Sequence, residues 1–366
     1  MQIPVGILLD RFGPKALLAV GAFVMAAGQL TVAFGPSLGI AVIGRMLVGM
    51  GDSFTFISMI RMINGWYQGA KASRLQQYIS SAGQLGQFFS AVPFWWMLEN
   101  LGWSPAFSIM SAISLVTVAL LIIYTSDDAP DQAKTSHRAL SLKMATKQLR
   151  ENMANPGIRM SFWTHFVTQP TTTSIQLLWA VPFLVTAQGQ SHDFASLTLT
   201  SMVFFGFFIT PLVANICSRR PQWRGKLVYL LVAVVNGTWV FVVIQPEGLS
   251  PVVLFVAMLL ISIGGPASMI AFDFSKDIVP KAKLGSANGF ANVGGFLATF
   301  VMMYMVGWLI DYIHALDQGL ERYTIDGFRA GFAAQMLVSL VGIIFFTVER
   351  KKFKKLMAET GNNLAI

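Results

Sequence analysis

The chain of 366 residues has a single cysteine, Cys217, so no disulfide can form within it. A lone cysteine of this kind most often serves as a small apolar filler. Charged residues are scarce, at 12%, about half the usual share of a water-soluble domain. Acids are scarcer than bases, 17 Asp and Glu against 26 Lys and Arg, which leaves a net charge of +9. The four histidines and the cysteine show no metal-ligand spacing. No glycine-rich phosphate loop follows a strand, and no Ser/His/Asp cluster lies in a water-facing domain. No polar stretch is long enough to hold an ATPase. These absences argue against an enzyme, a metal site and a cofactor, and leave a gradient as the source of any driving force.

What the chain has instead is apolar length. Hydrophobic residues make up 54%, and the mean hydropathy is +0.61. Ten apolar stretches are read at Lys15–Phe34, Leu38–Met62, Ser73–Leu98, Pro105–Tyr124, Ile158–Thr186, Phe194–Cys217, Leu227–Ile244, Pro251–Phe272, Ser286–Tyr312 and Gly327–Val348. A bilayer core takes about 20 apolar residues per helix. It offers no partner to a backbone polar group, so each stretch must close its own hydrogen bonds as a helix. The fold class expected is an all-α polytopic membrane protein. Gly35-Pro36, Glu99-Asn100 and Pro246-Glu247-Gly248 break the stretches. Ile3–Leu9 is a further apolar piece, too short to span, which suggests missing sequence before Met1; no signal-peptide pattern is present.

The bases fall in alternate gaps. Arg11 and Lys15 share one, Lys71 and Arg74 another, and Lys134, Arg138, Lys143, Lys147 and Arg150 lie in the longest. Arg219, Arg220, Arg224 and Lys226 follow, then Lys276, Lys281 and Lys283, and a tail with Arg350, Lys351, Lys352, Lys354 and Lys355. The intervening gaps carry mostly acids, among them Glu99, Asp193, Glu247, Asp317, Glu321 and Asp326, with Arg322 and Arg329 against the trend. By the positive-inside rule the basic gaps and the C-terminal tail are cytoplasmic, which places the chain in the inner (cytoplasmic) membrane. The net charge then needs no nucleic-acid partner; the partner expected is the lipid bilayer.

The first basic gap reads Gly6-Ile7-Leu8-Leu9-Asp10-Arg11-Phe12-Gly13-Pro14-Lys15. It resembles the loop between the second and third helices of the major facilitator superfamily, G-x-x-x-D-R-x-G-R-[KR], with Pro14 in place of a base. The run from Gly44 through Arg45 and Gly49 to Gly51 resembles that family's fourth-helix motif, R-x-x-x-G-x-G. The resemblance implies two pseudo-symmetric six-helix bundles, and it numbers the ten spans as helices 3 to 12, with helix 1 and most of helix 2 lacking. The domains expected are an N-terminal bundle at 1–125, a cytoplasmic linker at 126–157, a C-terminal bundle at 158–348 and a basic tail at 349–366. The corresponding loop of the second half, Asn215–Pro221, lacks the acid, so the repeat is degenerate there.

The resemblance implies that Gly6, Asp10, Arg11 and Gly13 form a conformational latch. Asp10 would meet Arg61 and the backbone N–H groups near Gly285 and Ser286, where a helix N-terminus favours negative charge. Arg45 and Asp52 lie seven residues apart in one span, on one face and about 10 Å apart in height. Ionisable groups in a membrane helix usually face a cavity or a partner. They are read either as solute recognition and a protonation switch or as an internal pair. The span from Ile158 is unusually polar, with His165, Gln169, Gln176 and a run of threonines around Pro170. His165 is read as a proton-coupling candidate or a packing residue; Gln169 and Gln176, again seven apart, are read as sharing a face that lines a cavity. Gln84 and Gln87 in the third span, and Asn288 and Asn292 in the ninth, are either interhelical hydrogen-bonders or solute contacts.

These readings converge on a secondary transporter. It would move a small polar or anionic organic solute by alternating access, coupled to an ion with protons as the candidate, and act as a monomer. A multidrug efflux antiporter, and a non-transporting receptor or inactive remnant, are the alternatives. The third span has no Gly-Pro, unlike the family's antiporters, and Phe194–Ile216 has no arginine, unlike its nitrate carriers.

Overall fold

The structure, a computed structural model, describes residues 5, 8–9, 11–91, 93–127, 142–245, 248–280, 283–316 and 321–359. It is built of helices, α1 (Pro14–Phe34), α2 (Leu38–Trp66), α3 (Gly69–Ala91), α4 (Pro93–Leu101), α5 (Trp103–Tyr124), α6 (Leu142–Ala154), α7 (Pro156–Thr168), α8 (Pro170–Ser174), α9 (His192–Arg219), α10 (Arg224–Ile244), α11 (Pro251–Ser262), α12 (Gly264–Ser268), α13 (Ile270–Ile278), α14 (Leu284–Leu316) and α15 (Ile325–Glu359). Among the described residues, 8 helical segments are long and apolar enough to cross a membrane.

The sequence predicts further spans at Ser73–Leu98 and Ile158–Thr186. The first is covered by α3 and α4, which lie on either side of residue 92, outside the described set. The second is divided at Pro170, which has no N–H to donate, and then winds into two π turns, Ile175–Trp179 and Pro182–Ala187. The Gly264-Gly265-Pro266 run likewise separates α11, α12 and α13.

The described chain divides into two compact units, Met1–Ala154 with Val279–Phe290, and Asn155–Ile278 with Ala291–Ile366. In the first unit, α1 packs along α2 and α5. Gly21 and Gly28 on α1 face Gly51 and Gly44 on α2, with the same seven-residue spacing on each helix. A methyl at Gly28 would stand 2.7 Å from the Gly44 carbonyl oxygen, so the two backbones touch and any side chain would push them apart. On the α5 side, three side chains donate to α1 carbonyls: Ser111 to Ala26 at 2.9 Å, Trp103 to Val32 at 2.9 Å and Ser104 to Ala33 at 2.6 Å. Gly13, at φ 80°, turns the chain into α1 in a conformation that disfavours a side chain.

The second unit has two apolar cores. One gathers Trp179, Phe183, Trp239, Phe328 and Phe332; the other gathers Phe166, Phe274, Phe346 and Phe353. Outward faces are apolar as well: Phe208, Leu212, Phe300 and Tyr304 are exposed. Helices apolar both inside and out suit a hydrocarbon surrounding.

Candidate functional site

On α2 the glycines and the charges form neighbouring stripes. Gly44 and Gly51 turn toward α1. Arg45 and Asp52 follow each of them by one residue, which rotates both side chains off that contact, and both are exposed. Among the described residues neither enters an ion pair. The arrangement presents a guanidinium and a carboxyl along one edge of α2, about 10 Å apart in height by helix rise.

In the second unit, α7 explains where its hydroxyls go. Thr164 and Thr168 donate back to the carbonyls of Met160 (2.8 Å) and Thr164 (2.7 Å), the usual solution for hydroxyls inside a helix. Thr172 instead crosses to α11 and donates to the Ile261 carbonyl at 2.6 Å. His165 is 2% exposed and sets its ring edge-on to Phe272, 5.1 Å between centroids. His165 Nδ1 and Gln169 Oε1 are both buried and lack hydrogen-bond partners. Both lie against Gly295 of α14, where an added methyl would overlap the two atoms at once. Gln169 and Gln176 are each half-buried. Between them lie Pro170 and the onset of the π turn at Ile175.

Gln84 and Gln87 lie on α3, but their side chains are outside the described set. Asn288 and Asn292 are one turn apart on α14 and buried; both side-chain polar atoms of Asn288 lack partners. Of the predicted latch, Gly6 and Asp10 are outside the described residues. Arg11 is half-buried with its guanidinium 5.0 Å from the Phe12 ring centroid, and Gly13 donates its N–H to the Leu9 carbonyl at 3.0 Å. Arg61 is 6% exposed, its Nε without a hydrogen-bond partner. At the start of α14, Gly285 and Ser286 are buried, and the Ser286 hydroxyl accepts from Asn152 Nδ2 at 2.9 Å. Asn152 lies on α6, so this helix meets the first turn of α14. Beside it, Lys283 meets Glu151 at 2.7 Å and holds that carboxyl below its ordinary range.

The sequence reading missed a set of ion pairs in the second unit. Arg159 on α7 meets Glu349 on α15 at 2.8 Å, and Lys352 reaches the same carboxylate at 3.0 Å. Arg224, at the start of α10, pairs with Asp277 and donates from Nε to the Cys217 carbonyl. Lys276 meets the buried Asp273 at 3.3 Å. The signal was present: Asp273 and Asp277 are acids in a gap otherwise counted as basic. No group of three or more His, Cys, Asp or Glu among the described residues is placed to hold a metal ion.

The family model described as Major Facilitator Superfamily matches residues 1–273. The chain belongs to the major facilitator superfamily. It is a multi-pass membrane protein and a secondary transporter. Among its relatives, the probable galactarate/D-glucarate transporter GudP of Bacillus subtilis is 24% identical, covering 96% of this chain and 82% of the relative. The hexuronate transporter of Escherichia coli K12 is 23% identical, covering 100% of this chain and 85% of the relative. Among solved structures, the E. coli fucose:proton symporter FucP superposes with a TM-score of 0.66 at 16% identity, covering 95% of this chain and 87% of that one.

Proposed function

We propose that the chain is a gradient-driven carrier of sugar-acid anions in the inner membrane, working by alternating access rather than as an enzyme. The observation that carries this reading is Arg45: a guanidinium on a membrane helix, exposed, and with no ion pair among the described residues. Such a group is costly in lipid unless a cavity or a partner receives it. Its planar fork suits a carboxylate in a bidentate grip, which a lysine cannot reproduce. The names of the relatives, galactarate, D-glucarate and hexuronate transporters, point to hydroxylated carboxylates as the solute class. The amides of the half-buried Gln169 and the buried Asn288 are of the type that hydrogen-bonds hydroxyls. Asp52, on the same edge as Arg45, is the proposed charge switch, with protons as the coupling ion.

In the same reading the bundles comprise 1–125 and 158–348, the linker 126–157 and the tail 349–366 lie in the cytoplasm, and the protein acts as a monomer. Uptake of radiolabelled D-glucarate and D-galacturonate into proteoliposomes, with and without an imposed proton gradient, tests it. Uptake that needs the gradient and falls to background in Arg45→Ala and Arg45→Lys is the result expected. Uptake by Arg45→Ala equal to that of the unaltered chain overturns the reading.

A further inference from the structure

We propose that Lys226, Arg350 and Lys354 form a binding site for the phosphate of an anionic membrane phospholipid, at the end of α10 and α15 that the positive-inside rule assigns to the cytoplasm. The site is independent of the transported solute. Arg350 extends from α15 onto α10, where its guanidinium lies against Gly225 and 5.7 Å from the Tyr229 ring centroid. Tyr229 is fixed in turn by a 2.8 Å hydrogen bond with the Thr347 hydroxyl of α15. A methyl at Gly225 would overlap the guanidinium, so this glycine is the seat that Arg350 occupies. Lys226 follows it and places its amine 5.8 Å from the Trp223 ring centroid. Lys354, one turn beyond Arg350 on the same helix, completes the group. The three charges crowd one another. Arg350 above all, with partial burial and then Lys226, holds the Lys354 amine below its ordinary range.

Like charges gathered in this way repel unless an anion joins them. The neighbouring acids are engaged elsewhere. Glu349 is shared by Arg159 and Lys352, Asp273 and Asp277 meet Lys276 and Arg224, and Glu359 meets Lys355 at 3.8 Å. Among the described residues no acid pairs with Lys226, Arg350 or Lys354. The Nε of Arg350 is buried and has no hydrogen-bond partner. Depth selects the anion. Val348 ends the apolar span of α15, and Leu227 begins that of α10. Arg350 and Lys354 stand about 3 and about 9 Å beyond Val348 by helix rise. The headgroup layer on each face of a bilayer is about 5–8 Å deep. Leu230, one turn deeper than Lys226 on α10, is exposed and offers an acyl chain an apolar surface below the bases. Phosphate beside the bases with a chain along Leu230 is the geometry of a phospholipid. The planar fork of Arg350 suits two phosphate oxygens, and each lysine adds a point charge. A zwitterionic headgroup would bring an ammonium against three cations, so the ligand is a lipid of net negative charge such as phosphatidylglycerol.

The experiment is native mass spectrometry of the full chain in detergent with added phosphatidylglycerol. The rise in unfolding temperature that the lipid produces is the second reading. Retention of phosphatidylglycerol over phosphatidylcholine is expected, and equal retention of the two overturns the proposal. Lys226 and Lys354 are exposed, so their variants keep the fold. Lys226→Gln and Lys354→Gln are each expected to weaken retention about fivefold, as for one base near an anionic surface. Lys351→Gln removes the same charge from the same tail but outside the group, and is expected to leave retention unchanged. Equal losses in Lys351→Gln and Lys354→Gln overturn the site in favour of a diffuse basic surface. Gly225→Ala keeps every charge and displaces Arg350, so retention is expected to fall. Unchanged retention in folded Gly225→Ala overturns the place of Arg350 in the site. Should that variant fail to fold, the lysine variants decide alone. Excess inorganic phosphate is expected to leave the lipid bound, and displacement of phosphatidylglycerol by it overturns the lipid as ligand.

Discussion

Asn152 donates from its Nδ2 to the Ser286 hydroxyl at 2.9 Å and to the Lys283 carbonyl at 3.1 Å, fastening the linker helix α6 to the first turn of α14. Both side chains are buried, at 3% and 1% exposure. Asn152→Ala removes both bonds, while the Ser286 hydroxyl keeps its own bond to the Lys283 carbonyl. The cost expected is about 0.5–1.5 kcal/mol per bond lost, read as faster hydrogen exchange in α6. Asn152→Ala combined with Ser286→Ala should cost less than the sum of the two single changes.

The Glu151–Lys283 pair next to it gives that attachment a pH dependence. Lys283 lowers the Glu151 carboxyl below its ordinary range. The stabilisation is therefore present above the unfolded carboxyl's range and is lost as the pH falls through the lowered folded value. Exchange protection of α6 should weaken in acid, and Glu151→Gln should remove that component. The pair is exposed, so added salt should weaken it too.

The glycine contact between α1 and α2 predicts a sharp contrast between neighbours. A methyl at Gly28 collides with backbone of Gly44 and Val48, whereas Gly49 has nothing within 4 Å. Gly28→Ala should cost about 1–3 kcal/mol through overpacking. Gly49→Ala should be neutral or slightly stabilising by helix propensity. Thermal unfolding in detergent, followed by circular dichroism, distinguishes them.

Glu349 serves two bases, Arg159 and Lys352, and its side chain is 7% exposed. Glu349→Gln removes the carboxylate that Arg159 and Lys352 share, and removal of one partner of a buried pair costs about 3–5 kcal/mol. Arg159 is partly exposed, so the lower end of that range is expected. Arg159→Met with Glu349→Met should recover much of the loss, measured by the same unfolding assay.

On α2, Asp52→Asn should separate solute binding from the gradient. Exchange of D-glucarate is expected to persist while accumulation loses its pH dependence. Unchanged pH dependence of uptake would return Asp52 to a merely structural place.

Much of the fold was legible because lipid imposes a simple grammar. Length and hydropathy located the rods. Pro170 is visible in the sequence as a residue without an N–H, and the helix is divided there. The π turns after Ser174 have no comparable sequence sign. Arg45 and Asp52 were visible as charges in an apolar run. Arg159 and Glu349 were hidden among terminal bases and acids: a pair 190 residues apart in sequence exists only once the helices pack. That Gly295 has His165 and Gln169 as its neighbours is a property of three dimensions.

The four matched glycines of α1 and α2 have a mechanical consequence. With main chain lying on main chain, no acyl tail can wedge between these helices, so the two tilt as one plank. A thinner or thicker bilayer would lean that plank and carry the Arg45 edge with it. The carrier's turnover should accordingly vary with the chain length of the lipids in which it is reconstituted.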